Sequence, residues 1–175
     1  MNITILGSGF AALTAVREIR RRAPDARLTV ISPQAELLYL PSLIWIPAGL
    51  RKGSDLRINL EHFFRKQRVE HIQARVSAVL EGGRLVETDI GRFRNEGLIL
   101  ASGGRFLKKL PGIEHVITPC EGITAAEQIR DRLQAMRGGT IAIGFAGNPN
   151  EPAAMRWGPM FEFLFGIDTM LRRQG

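Results

Sequence analysis

The apolar positions of this chain follow one spacing rule at first and another later. Ile3 to Leu6 is a short apolar run with β-branched residues, the pattern of a parallel strand buried on both faces. From about Phe10 to Arg22 the apolar residues Leu13, Val16 and Ile19 recur at helical spacing, and Pro24 ends the helix. Arg27 to Ile31 is again strand-like. Together these segments form a βαβ unit of about 30 residues. Leu37 to Gly53 is apolar and rich in proline, and predicts a long loop. Ser54 is placed to cap a second helix carrying Leu56, Leu60, Phe63 and Phe64 on one face, and Val69 to Gln73 predicts a third parallel strand. From Ala74 onward the spacing becomes alternating, with turns at Gly82-Gly83 and at Gly91, which predicts a β-meander. The apolar run Leu98 to Ala101 then feeds the turn Ser102-Gly103-Gly104. Thr124 with Glu127 reads as a capping box opening a helix that Gly138-Gly139 stops after about Arg137. Thr140 to Phe145 predicts a strand, and Pro159 suits the first turn of a last helix.

Composition narrows the class. Hydrophobic residues at 45% and charged residues at 23% fit a globular α/β chain and exclude a disordered or collagenous one. Lys and Arg number 24 against 17 Asp and Glu, a net +7, and Arg17, Arg20, Arg21, Arg22 and Arg27 cluster early. Such a cluster suits an acidic partner or, alternatively, is the solvated face of one helix. Basic and aromatic residues do not interleave as in single-strand binders, so no nucleic-acid partner is expected. Cys120 is the one cysteine, which rules out an intrachain disulfide. His62, His71 and His115 show no metal spacing and read as surface or helix residues, so no metal site is expected. Met1 stands directly before the first strand and leaves no room for a signal peptide. The most apolar stretch, Leu37 to Leu50, is shorter than the roughly 20 residues a spanning helix needs and is broken by Pro41 and Pro47. A cytoplasmic chain without a transmembrane segment is the expectation.

The chemistry-bearing motif is Gly7-Ser8-Gly9-Phe10-Ala11-Ala12, which fits G-x-G-x-x-G/A between a strand and a helix. The first glycine permits the tight turn, the second lets the backbone approach a pyrophosphate, and a small third residue lets helix pack on sheet. The helix start, with its exposed amides and positive dipole end, favours phosphate. The other reading is an incidental glycine turn. The acid that usually closes strand 2 is missing: that end reads Ile31-Ser32-Pro33, and the nearest acid is Glu36. Ser32 can bond a ribose hydroxyl, more weakly than a carboxylate would. The departure weakens the case for NAD, and no adjacent arginine argues for NADP. Gly144-Phe145-Ala146-Gly147 lacks the motif and does not support a second nucleotide site.

A β-meander inserted before a core strand that ends in Ala101-Ser102-Gly103 resembles the FAD domain of the pyridine nucleotide-disulfide oxidoreductases, where the strand ends in Ala-Thr-Gly. Within that family the chain resembles the branch of sulfide:quinone oxidoreductase and flavocytochrome c sulfide dehydrogenase. Tyr39, Pro41, Ser42 and Trp45 match its aromatic-x-Pro-Ser-x-x-Trp segment, and Gly158, Pro159 and Glu162 match its Cys-x-Gly-Pro-x-x-Glu segment. The resemblance implies that Gly7, Ser8, Gly9, Phe10, Ala11 and Ala12 hold the pyrophosphate of FAD, and Ser32 and Pro33 its ribose. It further implies that Arg75 and Val76 lie along the adenine through their backbone. Pro41 and Ser42 would lie beside the flavin ring, and Ala101, Ser102 and Gly103 on the flavin side of the cofactor. Cys120 stands where the branch often has an additional cysteine, which makes it the catalytic candidate; the alternative is a buried or partly buried structural thiol. Arg156 occupies the position of the cysteine that this branch uses in sulfide chemistry, and a guanidinium cannot attack as a thiolate does.

The resulting expectation is an α/β chain with a Rossmann-like FAD-binding domain over residues 1–139, built from a parallel sheet and a β-meander. The first strand-helix unit of a second, incomplete dinucleotide-type domain is expected over residues 140–175. The resemblance covers the N-terminal part of the family, whose quinone site and membrane-docking helices lie further on, so the chain alone is expected to be inactive, and peripheral membrane attachment would belong to a full-length form. The alternatives are a non-catalytic nucleotide-binding or assembly module and an ordinary NAD(P)-dependent dehydrogenase. Met160, Phe161, Phe163, Leu164, Phe165, Ile167, Met170 and Leu171 make the last helix apolar nearly all round, which predicts a homo-oligomer packed through residues 140–175 or a continuation of the chain.

Overall fold

The computed structural model describes residues 1–104, 111–144, 150 and 157–174. The chain divides into two compact units, residues 1–38 with 57–105 and residues 39–56 with 106–175.

The first unit is built on β1 (Asn2–Leu6), α1 (Phe10–Arg22), β2 (Arg27–Ser32), the short pair β3 (Glu36–Leu38) and β4 (Arg57–Asn59), α2 (Glu61–Lys66) and β5 (Val69–Gln73). The meander β6 (Val76–Leu80), β7 (Leu85–Thr88) and β8 (Gly91–Arg94) follows, then β9 (Gly97–Leu100). The main sheet runs β5-β2-β1-β9 and all its pairs are parallel. Its faces are both covered, which is why β1 and β2 read as continuous apolar runs. On one face Ile3, Ile5, Leu28 and Val30 pack with Ala12 and Val16 of α1 and Leu60 and Phe64 around α2. On the other, Leu6, Ile31 and Ala74 meet Val86 of the meander, with Phe93 alongside.

Two details depart from the sequence reading. The helix expected after Ser54 is a 3₁₀ turn over Gly53–Leu56, then β4, then the short α2. Leu56, Leu60 and Phe64 are buried as the apolar spacing required. The backbone between them is nevertheless drawn out to pair with β3, and the Asn59 side-chain oxygen accepts from the Glu61 amide at 2.9 Å to start α2. The arginine cluster is also not a bare patch. Arg20 donates from Nε to the Gln67 carbonyl at 2.9 Å, and from its two terminal nitrogens to the carbonyls of Ala26 at 3.0 Å and Arg68 at 3.1 Å. It also reaches Pro24. Arg21 and Arg22 both bond Glu18. Burial, helped by nearby Arg68, draws the Arg20 pKa down, yet its carbonyl partners suit a retained charge.

In the second unit a 3₁₀ segment over Leu40–Trp45 replaces the expected loop, and α3 (Ile123–Ala135) and α4 (Trp157–Gln174) pack with it. The capping box is not used: the N-cap of α3 is Gly122, with φ 118°, and Thr124 lies inside the helix. A Cβ at Gly53 would strike the Ile123 side chain and come within 3.0 Å of Glu127 Oε1, so a larger residue there would have to displace these side chains. The Trp45 indole donates to Glu162 Oε1 at 2.5 Å, and the Arg51 guanidinium lies 5.4 Å from the Trp45 ring centre. Residues 140–144 carry no strand, so the strand expected over Thr140 to Phe145 is not formed in its described part; Phe145 lies outside the described residues. No helix among the described residues is long and apolar enough to cross a membrane.

Candidate functional site

The carboxyl ends of the parallel strands converge on one edge of the first unit. There the Gly7 amide donates to the Ile31 carbonyl at 2.8 Å, the Ala101 amide to Leu6 at 2.9 Å, and the Ala74 amide to Ser32 at 3.1 Å. These bonds bring the glycine turn, the end of β2, the start of the meander and the end of β9 to one rim. Ligands of open α/β sheets bind at such a rim.

The two glycines of the turn serve different ends. Gly7 has φ +107°, and a Cβ on it would come within 2.9 Å of the Ala101 carbonyl carbon and 3.1 Å of Ser102 Cα. The fold itself therefore requires glycine at 7. Gly9 is extended, with φ −79° and ψ −174°, and a Cβ there meets nothing within 4 Å. Among the described residues no protein atom demands glycine at 9, and open space lies in front of it. Gly9 is the N-cap of α1, no side chain caps the helix, and its first turn holds no acid. The positive end of this helix is thus left uncompensated by its own side chains, which fits a phosphate-bearing ligand. Ala12 is fully buried against the sheet, while Phe10 and Ala11 are exposed.

Several predicted residues sit differently from expectation. The Ser8 hydroxyl does not face the turn's opening alone: it donates to the Glu36 main-chain carbonyl at 2.7 Å. Ser32 is buried at 2% exposure, and its hydroxyl donates to the Gln34 carbonyl at 2.7 Å and lies 2.9 Å from His71 Nε2. The single hydroxyl proton goes to Gln34, so His71 donates to Ser32. Both contacts tie the Ser32 hydroxyl to the protein's own groups; Pro33 is exposed beside it. Arg75 is likewise occupied: its amide donates to Asp89 Oδ1 at 2.8 Å and its carbonyl accepts from the Asp89 amide at 3.0 Å. Flanked by that bond, Val76 faces Thr88 as a non-hydrogen-bonded pair, which turns the Val76 N–H and C=O outward at the edge strand β6. Ala101 is buried, and Ser102 and Gly103 are exposed, with Gly103 at φ +79°.

Pro41, Ser42 and Cys120 belong to the second unit. Pro41 is exposed, and Ser42 is buried with its amide donating to the Tyr39 carbonyl at 3.2 Å. Cys120 is exposed on a 3₁₀ turn, where its amide donates to Thr118 Oγ1 at 3.3 Å, which corrects the alternative of a buried thiol. Arg156 lies outside the described residues. No group of His, Cys, Asp and Glu among the described residues could hold a metal ion.

His71 is the residue that sequence reasoning misplaced. It lies on β5, half-buried, stacked on Phe64 with ring centres 5.2 Å apart. Burial pushes its pKa below the ordinary 6.5, outweighing the Ser32 contact. Between the lowered value and the ordinary one the unfolded chain binds more protons. The contribution to stability is therefore complete above about pH 6.5 and lost as pH falls through that value, levelling off below the folded pKa. The urea midpoint of the wild type is expected to drop from pH 7 to pH 5 more steeply than that of His71→Gln. Equal slopes would remove His71 as the cause.

The chain is 22% identical over 177 residues to the sulfide-quinone reductase of Aquifex aeolicus, covering 99% of this chain and 40% of that protein. The X-ray structure of the sulfide:quinone oxidoreductase from the same bacterium matches with a TM-score of 0.77 at 20% identity, again over 99% of this chain and 40% of that one. Its homologues are FAD-dependent pyridine nucleotide-disulfide oxidoreductases. The fold is the FAD-binding Rossmann-like domain of that family, as the meander and the Ala101-Ser102-Gly103 strand end implied. A further relative is the nitric oxide reductase FlRd-NAD(+) reductase of Klebsiella pneumoniae, 30% identical over 153 residues, which cover 82% of this chain and 41% of that protein. No protein-family model matches the chain. The chain spans about two fifths of the length of these relatives. The sulfide-quinone reductase and the NADH oxidase and dehydrogenase neighbours are FAD-binding flavoproteins, so FAD is the cofactor this fold brings with it.

Proposed function

We infer that the chain binds FAD at the rim of the parallel sheet and acts as the FAD-binding portion of a flavoprotein oxidoreductase resembling sulfide:quinone oxidoreductase. The observation that carries this is the empty approach to Gly9, at a helix start with neither a side-chain cap nor an acid. The pyrophosphate lies against the backbone of Gly7, Ser8, Gly9, Phe10, Ala11 and Ala12. The adenine takes the outward N–H and C=O of Val76, with Arg75 held beside it by Asp89. Ala101, Ser102 and Gly103 border the flavin side. Bound flavin supplies electron transfer; the chain's own residues bind and orient it.

Sulfide oxidation is not assigned to these residues alone. Cys120 is the one cysteine, and Arg156 stands at the second sulfur position. Purified chain given FAD is expected to quench flavin fluorescence and to show a flavin absorbance band. Sulfide turnover with a soluble quinone is expected to be absent, and equally absent in Cys120→Ser. Turnover that disappears in Cys120→Ser would make Cys120 catalytic and overturn this half of the reading. Binding of NADH without FAD would favour a dehydrogenase, and binding of neither an assembly module.

Self-association through α4 is part of the same proposal. Ile167 is buried, and a Cβ added at Gly166 would come 3.4 Å from the Ala48 methyl, but Phe161 and Phe165 stack on each other while 42% and 62% exposed. Burying such side chains is worth about 1.5–3 kcal/mol each. Light scattering at micromolar concentration is expected to give a dimer that Phe165→Lys dissociates; a monomeric wild type would end the proposal.

A further inference from the structure

A dinucleotide fold ordinarily offers an acid at the end of its second strand to the ribose hydroxyls. Here β2 ends in Ser32, closed off by Gln34 and His71. Folding brings a different acid to the turn. Ser8, between the two glycines, donates to the Glu36 carbonyl at 2.7 Å across a separation of 28 residues, so Glu36 is anchored one hydrogen bond from the phosphate turn. Its placement is over-determined. β3 pairs with β4 in the register Glu36↔Asn59 and Leu38↔Arg57, and Leu37 between them is buried in the core, so a one-residue slip would expose it. The Ala35 carbonyl next to Glu36 accepts from the Leu60 amide at 2.8 Å. The carboxylate is oriented as well. Arg57 Nη1 donates to Glu36 Oε1 at 2.6 Å, with the two side chains 50% and 28% exposed. Oε2 carries no bond among the described residues. An exposed ion pair of this kind adds little to stability, so stability alone does not account for an arginine holding this acid in place.

We propose that Glu36, positioned by Arg57 and by the Ser8 hydroxyl, accepts from the adenosine ribose hydroxyls of the dinucleotide bound at the glycine turn, in place of the absent acid of β2. The proposal rests on the reading that the turn holds FAD. Its specificity consequence is a demand for a free ribose diol on the adenosine side.

The test compares FAD with an FAD analogue whose adenosine ribose lacks both hydroxyls, each titrated by fluorescence quenching into wild type, Glu36→Gln and Arg57→Met. A charge-assisted bond to the diol is expected to make wild type prefer FAD by about 10- to 100-fold. Glu36→Gln is expected to bind both ligands with nearly equal affinity, at the level wild type shows for the analogue. Arg57→Met keeps the carboxylate without its anchor and is expected to fall between, and it reads the same ratio if Glu36→Gln does not fold. A wild type that binds both ligands equally, or a Glu36→Gln protein that keeps the full preference, overturns the assignment to Glu36 while leaving FAD binding intact. A wild type that binds neither ligand overturns the FAD reading itself and this inference with it.

Discussion

Gly9→Asp is expected to abolish FAD binding while leaving the protein as stable as before or slightly more so. The two effects have opposite signs because, in the proposed reading, Gly9 serves the ligand and not the fold. Its extended backbone suits any residue, and its Cβ direction is open. Aspartate is among the preferred N-cap residues, so it adds a bond to α1 worth a few tenths of a kcal/mol over glycine. The same carboxylate would stand where the proposed pyrophosphate lies. Like charges about 4 Å apart repel by roughly 1–4 kcal/mol near a protein surface, and the side chain also takes up the space. A loss of at least about 100-fold in FAD affinity is expected. Thermal melting and fluorescence titration on one preparation check both halves. A large drop in melting temperature would show that Gly9 is structural, and unchanged affinity would remove the pyrophosphate from this turn.

Gly7→Ala is expected to do the reverse and destabilise the protein before any ligand is added. The positive φ of +107° disfavours an L-residue by about 1–2 kcal/mol. The added methyl would press on the backbone of Ala101 and Ser102, which is held in place by the Ala101 amide bond to Leu6. Overpacking against backbone costs about 1–3 kcal/mol more. A total near 3 kcal/mol corresponds to a fall of about 6–12 °C in the melting midpoint for a chain of this size. Melting within about 1 °C of wild type would mean that the turn yields. The two substitutions separate what a single motif merges, since G-x-G-x-x-A treats both glycines as parts of one phosphate cradle.

Much of the site was legible because its signals are local. The turn, Ala12 and the end of β9 were found from contiguous runs in which glycine, apolar spacing and strand length coincide. Glu36 was visible only as the nearest acid, and nothing near it in sequence announces Ser8 or Arg57 as partners. Asp89 was missed because its bonds to Arg75 close a turn of the meander across 14 residues. His71 was read as a surface or helix residue, since a lone histidine says nothing in sequence of the Phe64 ring or the Ser32 hydroxyl that it meets.

By itself the sequence determined the βαβ unit, the meander and where the core strands fall along the chain. Each of these rests on hydrophobic periodicity and turn residues within a window of a few residues, where side-chain direction follows from backbone geometry alone. The tertiary structure decided how shared residues are used. It drew Arg57–Asn59 into β4 although the apolar spacing fits a helix, because pairing with β3 satisfies backbone groups while Leu56, Leu60 and Phe64 stay buried. It turned Arg20 from a surface charge into a clamp on carbonyls of other segments. It also closed Ser32 and brought Glu36 to the glycine turn. These outcomes depend on partners distant in sequence, whose meeting is set by sheet register and core packing and leaves no periodic trace in the chain.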